Sequence, residues 1–295
     1  DEAARYEIVN TYQYPGFRLV QFNLGVLSHY SYILASGKQA LVVDPGRDVA
    51  TYLDFVKKEG LKIMGVFLTH NHADFVAGHL ELAKAAGCPV YASAKSGDQF
   101  PHQSLKEGSK IAVGDAVVKI LETPGHTPDG LCGVVAPKKQ SDKPNLILTG
   151  DVLFIGSVGR PDLMGGTASA ASLASQSYDT WTQKLSKLPD NLSIFPAHGA
   201  GSLCGAHLSD EPTSTLGAQK IANPYVKHKT RGEYIAAVLE GLPEAPQYFK
   251  HNAALNQKGP ELIDWQEKPV EKKPEKILTD PSRFYVVDIH NAKEY

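Results

Sequence analysis

Chemistry concentrates in one short stretch, GVFLTHNHADFVAGH, from Gly65 to His79. Three histidines and an aspartate crowd behind an apolar run there. His70 and His72 stand two residues apart, and Asp74 follows at the same spacing. Side chains of an extended chain alternate with a period of two, so these three share one face if the chain stays extended. Imidazole nitrogen and carboxylate oxygen are the usual donors to zinc and non-haem iron. A polar loop with solvated histidines is the plain alternative. Phe75, directly after Asp74, cannot hold a metal.

Three later stretches bear on that choice. ETPGHTPDG carries His126 in a Pro-Gly turn after a strand-like run, and LILTGDVLF carries Asp151 at the end of an apolar strand. IFPAHGAGS carries His198, again just past a strand. Alone, Asp151 reads as a turn residue and His198 as a surface or supporting histidine. Yet each occupies the same structural place, a strand end followed by a turn, where α/β proteins gather functional groups. That regularity makes a metal constellation of His70, His72, Asp74, His126, Asp151 and His198.

The elements that must position these residues are legible in outline. FRLVQFNL and SHYSYILASGKQALVVDPG read as strands, with SGKQ as a turn and Asp44-Pro45-Gly46 as a stop. VATYLDFVKKEG reads as a helix ending at Gly60, KIMGVFLT as a buried strand, FVAGHLELAKAAG as a helix closed by Gly87, and PVYAS as a strand. This alternation argues for a layered α/β domain. A second series of strands follows in KIAVGDAVVKILETPGH, GLCGVVAP, NLILTGD and LSIFPAHG, with SQSYDTWTQKLSKLP an amphipathic helix between the last two. Tyr12, Tyr14, Tyr30 and Tyr32 alternate as packing residues of strands, not as a stacking platform for bases.

Composition sets the outer limits. The chain has 295 residues, 42% hydrophobic and 21% charged, enough for a sizeable core in one large or two medium domains. Lys+Arg number 30 against 32 Asp+Glu, a net charge of -2, so no strong field draws the chain to nucleic acid or an acidic membrane. No apolar run approaches the roughly 20 residues that span a bilayer. Cys88, Cys132 and Cys204 are too few and scattered for a disulfide framework. The chain opens at Asp1 without Met, which suggests trimming or a removed leader. A cytoplasmic location is expected, with a periplasmic one left open.

THNHADF, PGHTPD, TGDVLF and PAHG resemble the ordered motifs of the metallo-β-lactamase superfamily. The resemblance implies an αββα sandwich with a metal at one edge, between the two sheets, over a catalytic domain spanning 1–262. Within the superfamily the chain resembles the glyoxalase II branch. It is more closely similar to the persulfide dioxygenases (sulfur dioxygenases) of the rhodanese-fused bacterial type, through HADFVAGHLELA, GRPDL, PAHGAGSLCG and YFKHNAALNQKG. Glyoxalase II-like hydrolases read His-x-His-x-Asp-His, and the Asp and last His help to hold a second metal. Here Phe75 replaces that histidine, which weakens the second site and any hydrolysis that needs two bridged metals. What the resemblance then implies is one Fe(II) per chain on His70, His126 and Asp151, a facial triad with open positions. Zinc suits the same donors as alternative or substitute. His72, Asp74 and His198 become supporting catalytic groups that orient ligands and hydrogen-bond waters or substrate. The implied substrates are O2 and a thiol persulfide such as glutathione persulfide, giving sulfite and thiol. A glyoxalase II-like thioester hydrolase is the alternative, and a metal-free scaffold that only binds a partner is the third reading. A homodimer stays open.

Two further residues are candidates for the substrate. Arg160 matches a family arginine near the substrate channel and could pair with a carboxylate of the thiol carrier; otherwise it braces a loop. Cys204, a few residues past His198, reads equally as a sulfur acceptor or as an inert buried cysteine. Beyond the catalytic domain, WQEKPVEKKPEKILTDPSR is charged and Pro-rich and reads as a linker over 263–282. RFYVVDIHNAKEY over 283–295 resembles the opening strand of a rhodanese domain, with Asp288 before a turn. The chain stops before any rhodanese cysteine, so these residues carry no sulfurtransferase activity. A rhodanese partner in a longer polypeptide is the expectation.

Overall fold

Strands that are apolar on both faces need cover on both sides, and this chain provides it with two sheets and flanking helices. The computed structural model describes residues 6–163, 167–265, 267, 270, 273–279 and 281–283. β1 (Glu7–Tyr14), β2 (Phe17–Leu24), β3 (His29–Ser36) and β4 (Gln39–Val43) form an antiparallel meander. α1 (Ala50–Lys58) leads to β5 (Lys62–Phe67), and α2 (His79–Ala86) leads to β6 (Val90–Ser93) and β7 (Gln103–Leu105). β4 to β7 pair in parallel, completing one seven-stranded sheet in chain order. α2 ends where Gly87 turns left-handed, with φ 65° and ψ 40°, a cap that a Cβ would strain.

The second sheet begins with β8 (Lys110–Val113), β9 (Ala116–Glu122), β10 (Leu131–Pro137) and β11 (Leu146–Gly150). β12 (Leu153–Phe154) and β13 (Ser157–Val158) make a small hairpin beyond it. After α3 (Thr167–Asp179) come β14 (Ser193–Pro196) and β15 (Ser214–Thr215), and the six-stranded order is β15-β14-β11-β10-β9-β8. α4 (Leu216–Ala222), α5 (Arg231–Leu239) and α6 (Tyr248–Lys258) follow.

Period-two alternation explains the layers. Leu19, Tyr32, Leu34, Leu41 and Val43 point into a core shared with Val118, Ile120, Val135 and Leu148 of the second sheet. Val20, Phe22, Ile33 and Val42 point the other way, onto Tyr52 and Val56 of α1 and Leu82 of α2. On the far side Cys132, Val134, Ile147 and Ile194 meet Trp181, Tyr234 and Val238. The αββα sandwich expected from the motifs is the fold observed. Tyr30 and Tyr32 are buried in the shared core, with Tyr12 and Tyr14 packed against it.

The helix read over SQSYDTWTQKLSKLP starts earlier, at Thr167, and passes through a π turn at Thr180–Lys184 into a 3-10 turn at Leu185–Lys187. Its first half is Ala- and Ser-rich, with no apolar period to read, yet Ala170, Leu173 and Ala174 are buried. α4 to α6 were not assigned from sequence.

The chain divides into two compact units, Asp1–Glu261 and Leu262–Tyr295. Within the second, the stretch read as linker holds a short helix, α7 (Pro274–Thr279), and a 3-10 turn at Pro281–Arg283. Proline at its first position suits a helix start. Residues 284–295, which carry the rhodanese-like strand reading, lie outside the described residues. No helix among the described residues is long and apolar enough to cross a membrane.

Candidate metal centre

The strand ends converge. His70 follows β5 of the first sheet, whereas His126, Asp151 and His198 follow β9, β11 and β14 of the second. Backbone hydrogen bonds join the two sheets at this edge: Leu131 N–H donates to Thr69 O (2.8 Å), and Tyr30 N–H donates to Ala197 O (2.7 Å). Gly159 lets a further loop pass close behind, because a Cβ there would stand 1.9 Å from Asp151 O and 2.9 Å from the His126 Cβ.

His70, His126 and Asp151 are all buried and offer donor atoms within 4.8 Å of one another. Asp151 Oδ2 is 3.5 Å from His70 Nε2 and 3.4 Å from His126 Nε2. Donors at metal-ligand bond lengths of about 2.0–2.2 Å from one ion stand about 3.0–3.5 Å apart, so the spacing fits an ion. His70 Nε2 and Asp151 Oδ2 have no hydrogen-bond partner despite full burial, a costly arrangement unless something else occupies them. The donor set therefore fits a metal.

Neighbouring groups set the imidazoles for that task. His126 Nδ1 donates to Arg160 O (2.8 Å), which leaves the Nε2 lone pair for the centre. The Thr69 hydroxyl donates to Asp44 Oδ2 (2.7 Å) and so accepts from His70 Nδ1 (3.0 Å), which fixes the His70 tautomer in the same sense. Burial pushes His126 down to about 4, so it stays neutral, as a ligand must. Burial would raise Asp151, but His198 and His70 hold its carboxyl well below the usual range.

His198 bridges two carboxylates. Its Nδ1 lies 2.7 Å from Asp151 Oδ1, and its Nε2 lies 2.8 Å from Asp74 Oδ2. Burial disfavours its charge, yet Asp151 and Asp74 prevail and raise its pKa well above the ordinary value. Asp74, against the effect of its own burial, is held at about 2 by His198. His72 lies 3.4 Å from Asp44 Oδ1 and 4.0 Å from Asp74 Oδ1, with both ring nitrogens unpartnered. His72, Asp74 and His198 form a second group of donors within 4.8 Å. Phe75 fills the adjacent space, its ring centroid 4.7 Å from His72 and 4.2 Å from His29.

A pH prediction follows from these pairs in the metal-free protein. Asp74 sits at about 2 against an ordinary 3.8. A depressed carboxyl contributes stability above its unfolded value and loses it as pH falls through the folded one, here about 2 kcal/mol between about pH 4 and 2. The His198 contribution is complete below its unfolded value of 6.5 and is lost only as pH rises through its raised folded value. Urea midpoints of wild type and Asp74→Asn, compared from about pH 6 to 2, should converge toward the acid end. Parallel curves would refute the assignment.

The remaining candidates are placed differently from one another. Arg160 is 2% exposed and gives Nε and Nη2 to Asp162 (both 2.8 Å), Nη1 to Leu203 O and Nη2 to Pro243 O. A guanidinium has five N–H donors, and most of these are spent inside the chain. The Arg160 backbone carbonyl accepts from His126 at the site. Cys204 is buried beside Asp151 and His198. Burial, with Asp74 and Asp151, raises its thiol well above the ordinary value, so it is protonated and weakly nucleophilic. His79 lies in the first turn of α2 with its ring 4.8 Å from that of Phe100, outside both donor groups.

Sequence reasoning missed three supporting residues. Asp44, read only as a strand stop, accepts from the N–H and hydroxyl of Thr69, faces His72 at 3.4 Å and adopts a left-handed φ of 50°. Its signal was an aspartate at a strand end, the pattern used for Asp151. His29, buried in β3 with no local signal, shares a hydrogen bond at Nδ1 with the Tyr6 hydroxyl (2.5 Å), and Asn256 lies on α6, inside the stretch YFKHNAALNQKG. Beside the metal loops runs a groove of about 310 Å³, lined by Asn71, Lys95, Thr127, Asp129, Leu163 and Lys250 among others. Asn71 and Thr127 on its wall are the chain neighbours of His70 and His126.

The chain is similar to several known proteins. The family described as the metallo-beta-lactamase superfamily matches residues 24–198. A hydroxyacylglutathione hydrolase of Bdellovibrio bacteriovorus is 35% identical over 174 residues, 58% of this chain and 63% of the relative. The chain thus spans just under two thirds of that protein. A metallo-beta-lactamase structure from Staphylococcus aureus superposes with a TM-score of 0.78 at 30% identity, covering 84% of this chain and 75% of the other. ETHE1 from Myxococcus xanthus gives 0.70 at 27% identity, covering 82% and 97%.

Proposed function

The chain belongs to the metallo-beta-lactamase superfamily, and from that premise we propose that it is a mononuclear non-haem iron(II) persulfide dioxygenase. The reaction is R-S-SH + O2 + H2O giving R-SH, sulfite and two protons. The observation that carries this reading is Phe75. Its ring packs on His29 and His72 where a second metal would need a donor, while both nitrogens of His198 are taken by carboxylates. The donor group without His198 is His70, His126 and Asp151, the residue types of the facial triad of Fe(II) oxygenases. The likeness to ETHE1 supports the same reading.

His70, His126 and Asp151 would hold the iron(II), which would supply O2 chemistry to the persulfide sulfur. The chain's own residues do the rest. Thr69 and the Arg160 carbonyl keep His70 and His126 in the binding tautomer. The Asp74 Oδ2–His198 Nε2 pair holds a proton beside the centre. The groove past Asn71 and Thr127 receives the thiol carrier, with Lys250 on its wall for a carboxylate of glutathione.

One observation favours a second reading. His72, Asp74 and His198 offer a further group of donors, and a hydroxyacylglutathione hydrolase is among the relatives. A two-metal thioester hydrolase would use both groups. Anaerobic purification with metal analysis, followed by an oxygen electrode, separates the two. About one iron per chain with oxygen uptake on glutathione persulfide is expected. Two metals with thioester cleavage and no oxygen uptake would overturn the proposal.

A further inference from the structure

The segment that carries His70, His72 and Asp74 has no regular structure between β5 and α2, yet His72 to Phe75 and Ala77 to His79 are buried. Buried backbone groups outside helices and sheets need other partners. Here one side chain supplies three of them. Asn256 Nδ2 donates to His72 O and to Phe75 O, each at 2.8 Å, and its Oδ1 accepts from Ala77 N–H at 2.8 Å. Asn256 is 1% exposed and belongs to α6, 179 to 184 residues further along the chain.

We propose that Asn256 is a positioning residue of the metal centre: it clamps the backbone from His72 to Ala77 and so holds the donor side chains of this loop in register. The chemistry demanded is one acceptor and two donors in a single plane, which a carboxamide provides. Aspartate keeps the size and the acceptor but loses both donors and sets charge against two carbonyl oxygens. Leucine keeps approximate volume and loses all three bonds. Neighbouring faces of α6 serve two ends at once, since Lys250, Ala253 and Gln257 line the groove while Asn256 bonds the loop. The proposal rests on the metal centre and not on which reaction it runs, so its readouts stand apart from oxygen uptake.

The test uses the whole chain loaded with cobalt(II). Metal release to excess chelator and the visible ligand-field spectrum are measured for wild type, Asn256→Asp, Asn256→Leu and His251→Gly. His251 is exposed on the same helix, so glycine there weakens α6 without touching the loop. Both Asn256 variants should release cobalt at least about tenfold faster than wild type, the range seen when groups behind metal ligands are removed, with altered visible bands. His251→Gly should lower thermal stability and leave release and spectrum unchanged. Should Asn256→Leu not fold, Asn256→Asp decides. Wild-type release with an unchanged spectrum in Asn256→Asp overturns the proposal. So does equal acceleration in His251→Gly, which would mean that helix docking in general, and not this clamp, retains the metal.

Discussion

Asp151→Ala is expected to strip the metal and abolish oxygen uptake on persulfide. Both carboxylate oxygens are in use. Oδ2 faces His70 and His126 at 3.5 and 3.4 Å, and Oδ1 holds His198 at 2.7 Å. Removing the side chain deletes the one anionic donor of the triad. It also leaves His198 with a single counter-charge in a buried site, and breaking a buried pair costs about 3–5 kcal/mol. His126→Ala should also lose metal, but with less structural damage, because its other nitrogen is tied only to a backbone carbonyl. Iron per chain should fall from about one to near zero in both variants, and the rate by about a thousandfold or more, since no metal-independent route to O2 is available to these side chains. Circular dichroism distinguishes loss of metal from loss of fold. Full iron with full activity in either variant would end the assignment of the triad.

Phe75→His should move the protein toward the two-metal hydrolases. An imidazole at this position would pack on His72, which shares a donor group with Asp74 and His198. In the metal-free state the change is destabilising by about 1–3 kcal/mol, because a polar ring replaces an apolar one against His29 and His72. Zinc should recover that loss by binding, with His198 giving up a proton to become a ligand. The expected result is a rise from about one to about two zinc per chain, with thioester hydrolysis appearing as bound water is activated. Persulfide-dependent oxygen uptake should fall. A variant that still binds one metal and keeps its oxygen uptake would show that Phe75 is not what limits the second site.

Much of the fold is legible in the sequence because strands and short helices are written locally. FRLVQFNL is β2 residue for residue, since apolar residues recur along its whole length and its flanks are turns. Gly87 closes α2 as read, because a left-handed cap favours glycine whatever surrounds it. Legibility fails where local pattern and burial part company. The first half of α3 lacks an apolar period but is held by packing. α6 has a low apolar content and forms because Phe249 and Asn256 dock into the body of the protein.

By itself the sequence determined which side chains stand at strand ends, that they are imidazoles and carboxylates, and that Phe75 interrupts one set of them. These are properties of neighbours in the chain. Only the tertiary structure decided what those groups do to one another. His198 and Asp74 are 124 residues apart and His198 and Asp151 are 47 apart, so no spacing rule foretells that one imidazole bridges both. The committed guanidinium of Arg160, the Asp44–Thr69–His70 chain and the Asn256 clamp are of the same kind. The physical reason is range: backbone periodicity acts over a few residues. Protonation, tautomer and ligand orientation depend on atoms within about 3–4 Å, which the fold alone assembles.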